Sequence, residues 1–273
     1  MQLSNYETVA LDEIEEWERK GHEGFHKKVL DVTSRPIDYA VNKIGKEKFG
    51  IFEKALGKTI RRLLRASSAT IEPQELLERA HRHGIMIDDI SEIKYCDLKQ
   101  LDACNRKNIG FHKRAGAIQG AVAGLGGALT ATADIMALLI QDFHMIQEIV
   151  FCHGFDPDLL VEKQIVLCIL EGAIGGSEMK FKALEEIAIL RQLSEEADAA
   201  KLEPKQVPIL GAKALEEYIE HLGAALIIRL IPRAVPIVSV VVSAHSNHEI
   251  MEHSADMAFM VYRKRFVERK LDL

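Results

Sequence analysis

The sequence predicts an all-α protein, a multi-helix bundle around a central glycine- and alanine-rich helical core. Three observations carry that expectation. Apolar residues recur at spacings of three and four, the helical period, and hardly anywhere at two. Aromatic residues make up only 6% of the 273 residues, with one tryptophan, so the core must be built from Leu, Ile, Val and Ala. The sole β-branched run, Val238, Val240, Val241 and Val242, reads equally well as buried helix.

In chain order, Leu11, Ile14 and Trp17 form one side of a charged helix ending near Lys20. Pro36 suits the first turn of a second helix, with Ile37, Ala40, Val41 and Ile44 inward. A basic helix follows over 43–65, then a loop at 67–72. Pro73 opens another helix, with Leu76, Leu77 and Ala80 inward. From Arg114 to Ile140 charge thins and small residues dominate. Two more charged helices are expected over 158–175 and 178–197. Pro204 and Pro208 mark a linker near 199–208. A last apolar section, 209–244, leads into an amphipathic helix ending in Arg263, Lys264, Arg265, Arg269 and Lys270. Cations there suit the negative end of a helix dipole. We divide the chain into an N-terminal helical extension, 1–35, and an all-helical domain, 36–273.

Composition narrows the function. With 48% hydrophobic and 28% charged residues, the chain can bury a core and is not disordered. Its net charge of −6 argues against nucleic acid as a partner. Cys96, Cys104, Cys152 and Cys168 contain no C-x-x-C pair, so reduced thiols and a cytoplasmic location are expected. The acidic start, Glu7, Asp12, Glu13, Glu15 and Glu16, does not read as a secretory signal.

Residues 43–65 hold eight basic and two acidic side chains, a local balance of +6. The rest of the chain must then carry −12. Phe49, Phe52, Leu56, Ile60 and Leu63 form an apolar stripe, and Lys46, Lys54, Lys58, Arg61, Arg62 and Arg65 populate the remainder. This is the pattern of a helix lying on an anionic lipid surface. An ordinary surface helix with its apolar face in the core shows the same stripe.

Gly116, Gly120 and Gly124 recur every four residues, with Gly127 following. Interior glycine costs roughly 1 kcal/mol relative to alanine. Close approach of a neighbouring helix offsets that cost, which predicts a small-residue packing stripe. A bilayer span over Ala115–Ile140 would have the right length, but Gln119 and Asp134 would be costly in lipid. A phosphate cradle lacks the G-K-[ST] that should follow.

Candidate metal or ligand residues fall in four places. His22-Glu23-Gly24-Phe25-His26 spells a zinc-hydrolase motif, in which two histidines on one helical face bind zinc and the glutamate activates water. Gly21, Gly24 and three nearby lysines disfavour it. Glu78 and His81 repeat the Glu-x-x-His spacing of Glu23 and His26, as in di-iron bundles. His245, His248, Glu249, Glu252, His253 and Asp256 cluster late, with Asn247 a further candidate among them, and Glu249, His253 and Asp256 share a helical face. Asp134 sits in an apolar run and needs a partner; a helix N-cap or another satisfied structural bond is the favoured role, and a ligand or proton site with Glu171 or a histidine is the alternative. The sequence identifies no particular cofactor, so the cofactor is unknown.

The run Gly124-Leu125-Gly126-Gly127, then Ala133-Asp134-Ile135, Ile146-Gln147-Glu148-Ile149 and His153-Gly154-Phe155-Asp156-Pro157 resembles the central signature of the EcsC family. Ile231-Pro232, Asn247, Ala258, Tyr262, Arg263 and Arg265 extend the likeness. Ser239, Ser243 and Ala244 replace glycines of the family pattern, and His153 replaces a tyrosine. The resemblance implies a bacterial accessory protein, cytoplasmic or peripheral on the inner face of the membrane. It implies a membrane-protein partner of the ABC-transporter type and supplies no catalytic residues. The expectation is therefore a non-enzymatic protein docked on anionic lipid or on such a partner. A metal-dependent enzyme and a soluble partner-binding module are the alternatives.

Overall fold

A computed structural model describes residues 3–21, 46–65, 73–123, 128–175, 177–199, 212–220 and 240–271. The described residues contain helices and turns and no strand, as the three-and-four spacing predicts. In chain order the helices are α1 (Asn5–Arg19), α2 (Lys46–Arg65), α3 (Pro73–Arg82), α4 (Leu98–Ala123), α5 (Ala128–Cys152), α6 (Leu160–Ile174), α7 (Ser177–Ala199) and α8 (Val240–Leu271). A short 3₁₀ turn, Ile90–Tyr95, precedes α4, and residues 212–220 are also helical.

Local chemistry sets the helix ends. Ser4 and Glu7 form a reciprocal capping box on α1, the Ser4 amide donating to Glu7 Oε2 at 2.8 Å and the Glu7 amide to Ser4 Oγ at 3.3 Å. Helices α3 and α5 both stop at a left-handed glycine, Gly84 (φ 76°) and Gly154 (φ 73°). The amides of Ile85 and Phe155 reach back to the carbonyls of Ala80 and Val150, at 3.0 and 3.2 Å. That is the Schellman arrangement, which needs a residue without Cβ at the turn. His153-Gly154-Phe155 thus marks the end of α5.

Of the small-residue section from 115 to 140, residues 115–123 and 128–140 are helical, and residues 124–127 lie outside the described residues. The described part of α4 runs to Ala123 and that of α5 from Ala128. No helix among the described residues is long and apolar enough to cross a membrane. Asp134 lies inside α5, not at its start, so of the two structural roles expected for it the N-cap is ruled out. The loop at 67–72 lies outside the described residues, and of the linker expected over 199–208 Ala199 is the last residue of α7 and the rest lies outside them.

The centre of the bundle is α6. Every residue from Gln164 to Ile174 is buried, including Ile165, Val166, Leu167, Ile169 and Leu170. Although read from sequence as charged, this helix is apolar nearly all round, and such helices are buried. Around it pack Leu139, Phe143 and Ile146 of α5, Ala183 and Ile187 of α7, and Met251, Met257, Ala258 and Tyr262 of α8. Gly172 permits a close approach in this core. A Cβ there would meet Met257 Cε at 2.6 Å and Ala183 Cβ at 2.8 Å.

Helices α4 and α8 run antiparallel in a single register. Asp102 pairs with Arg263, Arg106 lies over the Phe259 ring at 5.0 Å, and Lys113 pairs with Glu252 at 2.7 Å. Each step forward along α4 is matched by an equal step back along α8. Helix α1 lies on the same last helix through Glu7–Lys270, Glu13–Arg263 and Glu18–Lys264 ion pairs, at 2.5, 2.6 and 2.9 Å.

Candidate functional site

Helix α2 divides into two faces. Leu56, Ile60 and Leu64 are buried in the main core. Ile51, Lys54, Lys58, Arg62 and Arg65 are exposed and spaced three and four apart, so they form one outward row. At 1.5 Å per residue the row is about 21 Å long. Lys46 is exposed at the start of the helix. The side chains of Phe49 and Phe52 lie outside the described residues.

Arg61 flanks the row and is engaged within the molecule. Its Nε stands 2.6 Å from Glu216 Oε2 and its Nη2 3.6 Å from Glu220 Oε1. Both acids belong to the helical segment 212–220. The core side of that segment, Leu215 and Ile219, is buried. Tyr218 on it donates to Glu171 Oε2 at 2.5 Å and stands 3.2 Å from Glu186 Oε2. Glu171, singled out in sequence as a ligand candidate, is thus hydrogen-bonded from a segment distant in sequence.

Buried charges gather along α8. Arg263, 1% exposed, pairs with Asp102 and donates to Glu13, while Tyr6 donates to the same Asp102 carboxylate at 2.7 Å. Two residues on, Arg265 makes a forked contact with Glu162, 2.6 and 2.5 Å, and Tyr262 donates to that carboxylate at 2.8 Å. A forked arginine–carboxylate pair fixes orientation as well as charge. Arg269 donates to the carbonyls of His153 and Gly154, both at 2.9 Å. It therefore places a cation at the negative end of α5. His153 packs between Phe259, Tyr262 and Phe266, and its burial pushes its pKa down to about 4. Its Nδ1 contacts the Ile149 carbonyl, one turn back, at 2.8 Å.

Lys180 of α7 plays a parallel part for α1. Its Nζ donates to the carbonyls of Trp17 and Lys20, both at 2.6 Å, and lies 3.8 Å from the Trp17 ring centroid. Burial lowers its pKa to about 8, against the upward pull of Asp256 and Glu18. Gly21 lets the chain leave α1 here, since a Cβ would lie 2.3 Å from Ser177 Oγ.

The metal candidates are only partly described. His22, Glu23 and His26 lie outside the described residues, as do Gly124 and Gly127. Gly116 and Gly120 are helical in α4, and Asn247 in α8, but their side-chain surroundings are outside the description, as are those of Asp134. His81 Nε2 contacts the Ile87 carbonyl at 2.7 Å and so closes the turn after α3, while Glu78 is exposed. On α8, His253 is buried, His248 and Glu249 half-buried, and Asp256 exposed. No three His, Cys, Asp or Glu among the described residues are grouped to hold a metal ion.

Sequence reasoning missed the polar buried groups at the helix crossings. Asp142 is fully buried and accepts from Ser254 Oγ at 2.6 Å; burial pushes its pKa up to about 7. The signal available was a lone acid between apolar Ile140 and Phe143, and Asp134 drew that reading instead.

A Bacillus subtilis (strain 168) protein, the uncharacterised YdbA, is 23% identical over 273 residues, covering 96% of this chain and 93% of the relative. No solved structure matches the chain. The model of the EcsC protein family matches residues 8–267, from the second turn of α1 to the last turns of α8, and the chain belongs to that family.

Proposed function

We propose that the chain is a non-enzymatic helical accessory protein that docks on the cytoplasmic face of a membrane, at anionic lipid or at a membrane protein seated there. The observation that carries this reading is the outward row Ile51, Lys54, Lys58, Arg62 and Arg65 on a helix whose opposite face is core. With Leu56 and Ile60 already buried in the protein, that pair cannot anchor the helix in lipid. The contact is therefore mainly electrostatic, four cations at about 1 kcal/mol each near an anionic surface, with Ile51 as an apolar contact.

Co-sedimentation with vesicles of mixed neutral and acidic phospholipid tests it. The protein should pellet at low salt and be released at about 1 M salt, where screening reaches in to about 3 Å. Lys54→Glu/Lys58→Glu/Arg62→Glu should remain folded and stay in the supernatant. Wild-type protein left in the supernatant at low salt would defeat the lipid reading.

A further inference from the structure

Cys104 of α4 and Cys152 at the end of α5 line one cavity of about 20 Å³. Ile85, Ile93 and Leu101 provide much of the remaining wall, and Asn108 reaches in from the same face of α4 as Cys104. The register of the two helices sets the cysteines opposite each other. His112 touches α5 at Gln141 and again at Glu148. Eight residues back along α4 is Cys104, and eight on along α5 is the window 149–156, which contains Cys152. Both thiols are nearly buried, at 5% and 8% exposure. Asn108 is 9% exposed, and its Nδ2 has no hydrogen-bond partner among the described atoms.

We propose that Cys104 and Cys152 form a two-thiolate site for a soft, closed-shell monovalent cation of the Cu(I) and Ag(I) class. Thiolates select such ions over hard cations. Size points the same way. Sulfurs joined in a disulfide stand about 2.05 Å apart and leave no gap. Two metal–sulfur bonds of about 2.3 Å in line hold the sulfurs roughly 4.6 Å apart with the ion between them. A cavity of about 20 Å³ exceeds the roughly 10–15 Å³ that admits one water-sized sphere. On binding, each thiol gives its proton to solvent and each sulfur donates an electron pair to the ion, so a neutral site becomes singly negative. That charge is costly in an apolar cavity unless a donor faces it. The unpartnered Asn108 amide supplies the donor.

The test uses Ag(I) in chloride-free buffer and a Cys96→Ser/Cys168→Ser chain, with folding checked by circular dichroism. Native mass spectrometry should find one Ag(I) per chain, with proton release and a raised melting temperature, since binding only the folded state stabilises it. Adding Cys104→Ser or Cys152→Ser should abolish all three signals. In the wild-type chain, Ag(I) should protect Cys104 and Cys152 together from alkylation after local opening, which keeps the test intact if the double variant fails to fold. No stoichiometric uptake, undiminished uptake by either single-thiol chain, or unprotected Cys104 and Cys152 would overturn the site. Diamide closing a Cys104–Cys152 disulfide in the folded protein would also overturn it, because the sulfurs would then be in bonding contact.

Discussion

Ser254 Oγ donates to Asp142 Oδ2 at 2.6 Å, joining α8 to α5 by a single hydroxyl–carboxyl contact at a fully buried acid. Burial raises the Asp142 pKa from 3.8 to about 7, with the serine bond pulling the other way. The folded state therefore holds this proton more tightly than the unfolded state, and stability falls as pH rises from 4 to 7. His153 has the opposite sign. Its pKa falls from 6.5 to about 4, so its neutral form is favoured by folding, and its contribution is lost as pH drops from 6.5 to 4. Urea unfolding across pH 4–8 should separate the two. Asp142→Asn should remove the falling contribution and gain roughly 3–5 kcal/mol relative to wild type above pH 7. His153→Gln should remove the rising one between pH 4 and 6.5. Parallel profiles for wild type and both variants would rule this coupling out.

Glu162 and Arg265 meet in a forked contact with both side chains buried. Removing one partner strands the other charge, so Glu162→Ala should cost about 3–5 kcal/mol. Replacing both, as Glu162→Met/Arg265→Met, should cost less than the single change. A double-mutant cycle by chemical denaturation checks this, and a double variant weaker than either single would show that the pair is net stabilising.

Gly172 is the glycine whose added methyl group would meet Ala183 and Met257. Met257 can turn away, but Ala183 Cβ is fixed to its backbone. Gly172→Ala should destabilise by about 1–3 kcal/mol through overpacking of α6 against α7. An unchanged melting temperature would mean that α7 can shift freely.

Arg61 and Lys58 are near neighbours on α2 with different duties. Arg61→Glu faces Glu216 and Glu220 with a like charge and should lower stability by up to about 1 kcal/mol, the scale of a partly exposed pair. Lys58→Glu should leave stability within about 0.5 kcal/mol, as exposed changes do. Equal effects in thermal melts would erase the distinction between the held arginine and the outward row.

The helical class was legible because three-and-four spacing survives whatever the helices pack against. Helix starts were legible where chemistry is local: Pro73 opens α3 as read. Which face goes inward was harder. On α2 Leu56 and Ile60 of the expected stripe are buried in the core, but core and lipid are both apolar destinations, so the spacing could not choose between them. Glu162 and Glu171 made α6 look like a surface helix, because their partners, Arg265 and Tyr218, lie far along the chain. Pairings across such separations leave no trace in local spacing.

The clasp between α1 and α8 has a consequence for biosynthesis. Glu13 meets Arg263 and Glu18 meets Lys264, so the first helix finds its partner only when the last has left the ribosome. At about 5–20 residues per second, α1 waits on the order of 12–50 s, its carboxylates in water and its apolar side uncovered. Folding that begins with α4 to α7 must leave room for both ends to arrive together. A nascent chain stalled before α8 emerges is the species with the longest exposure to holdase chaperones and proteases.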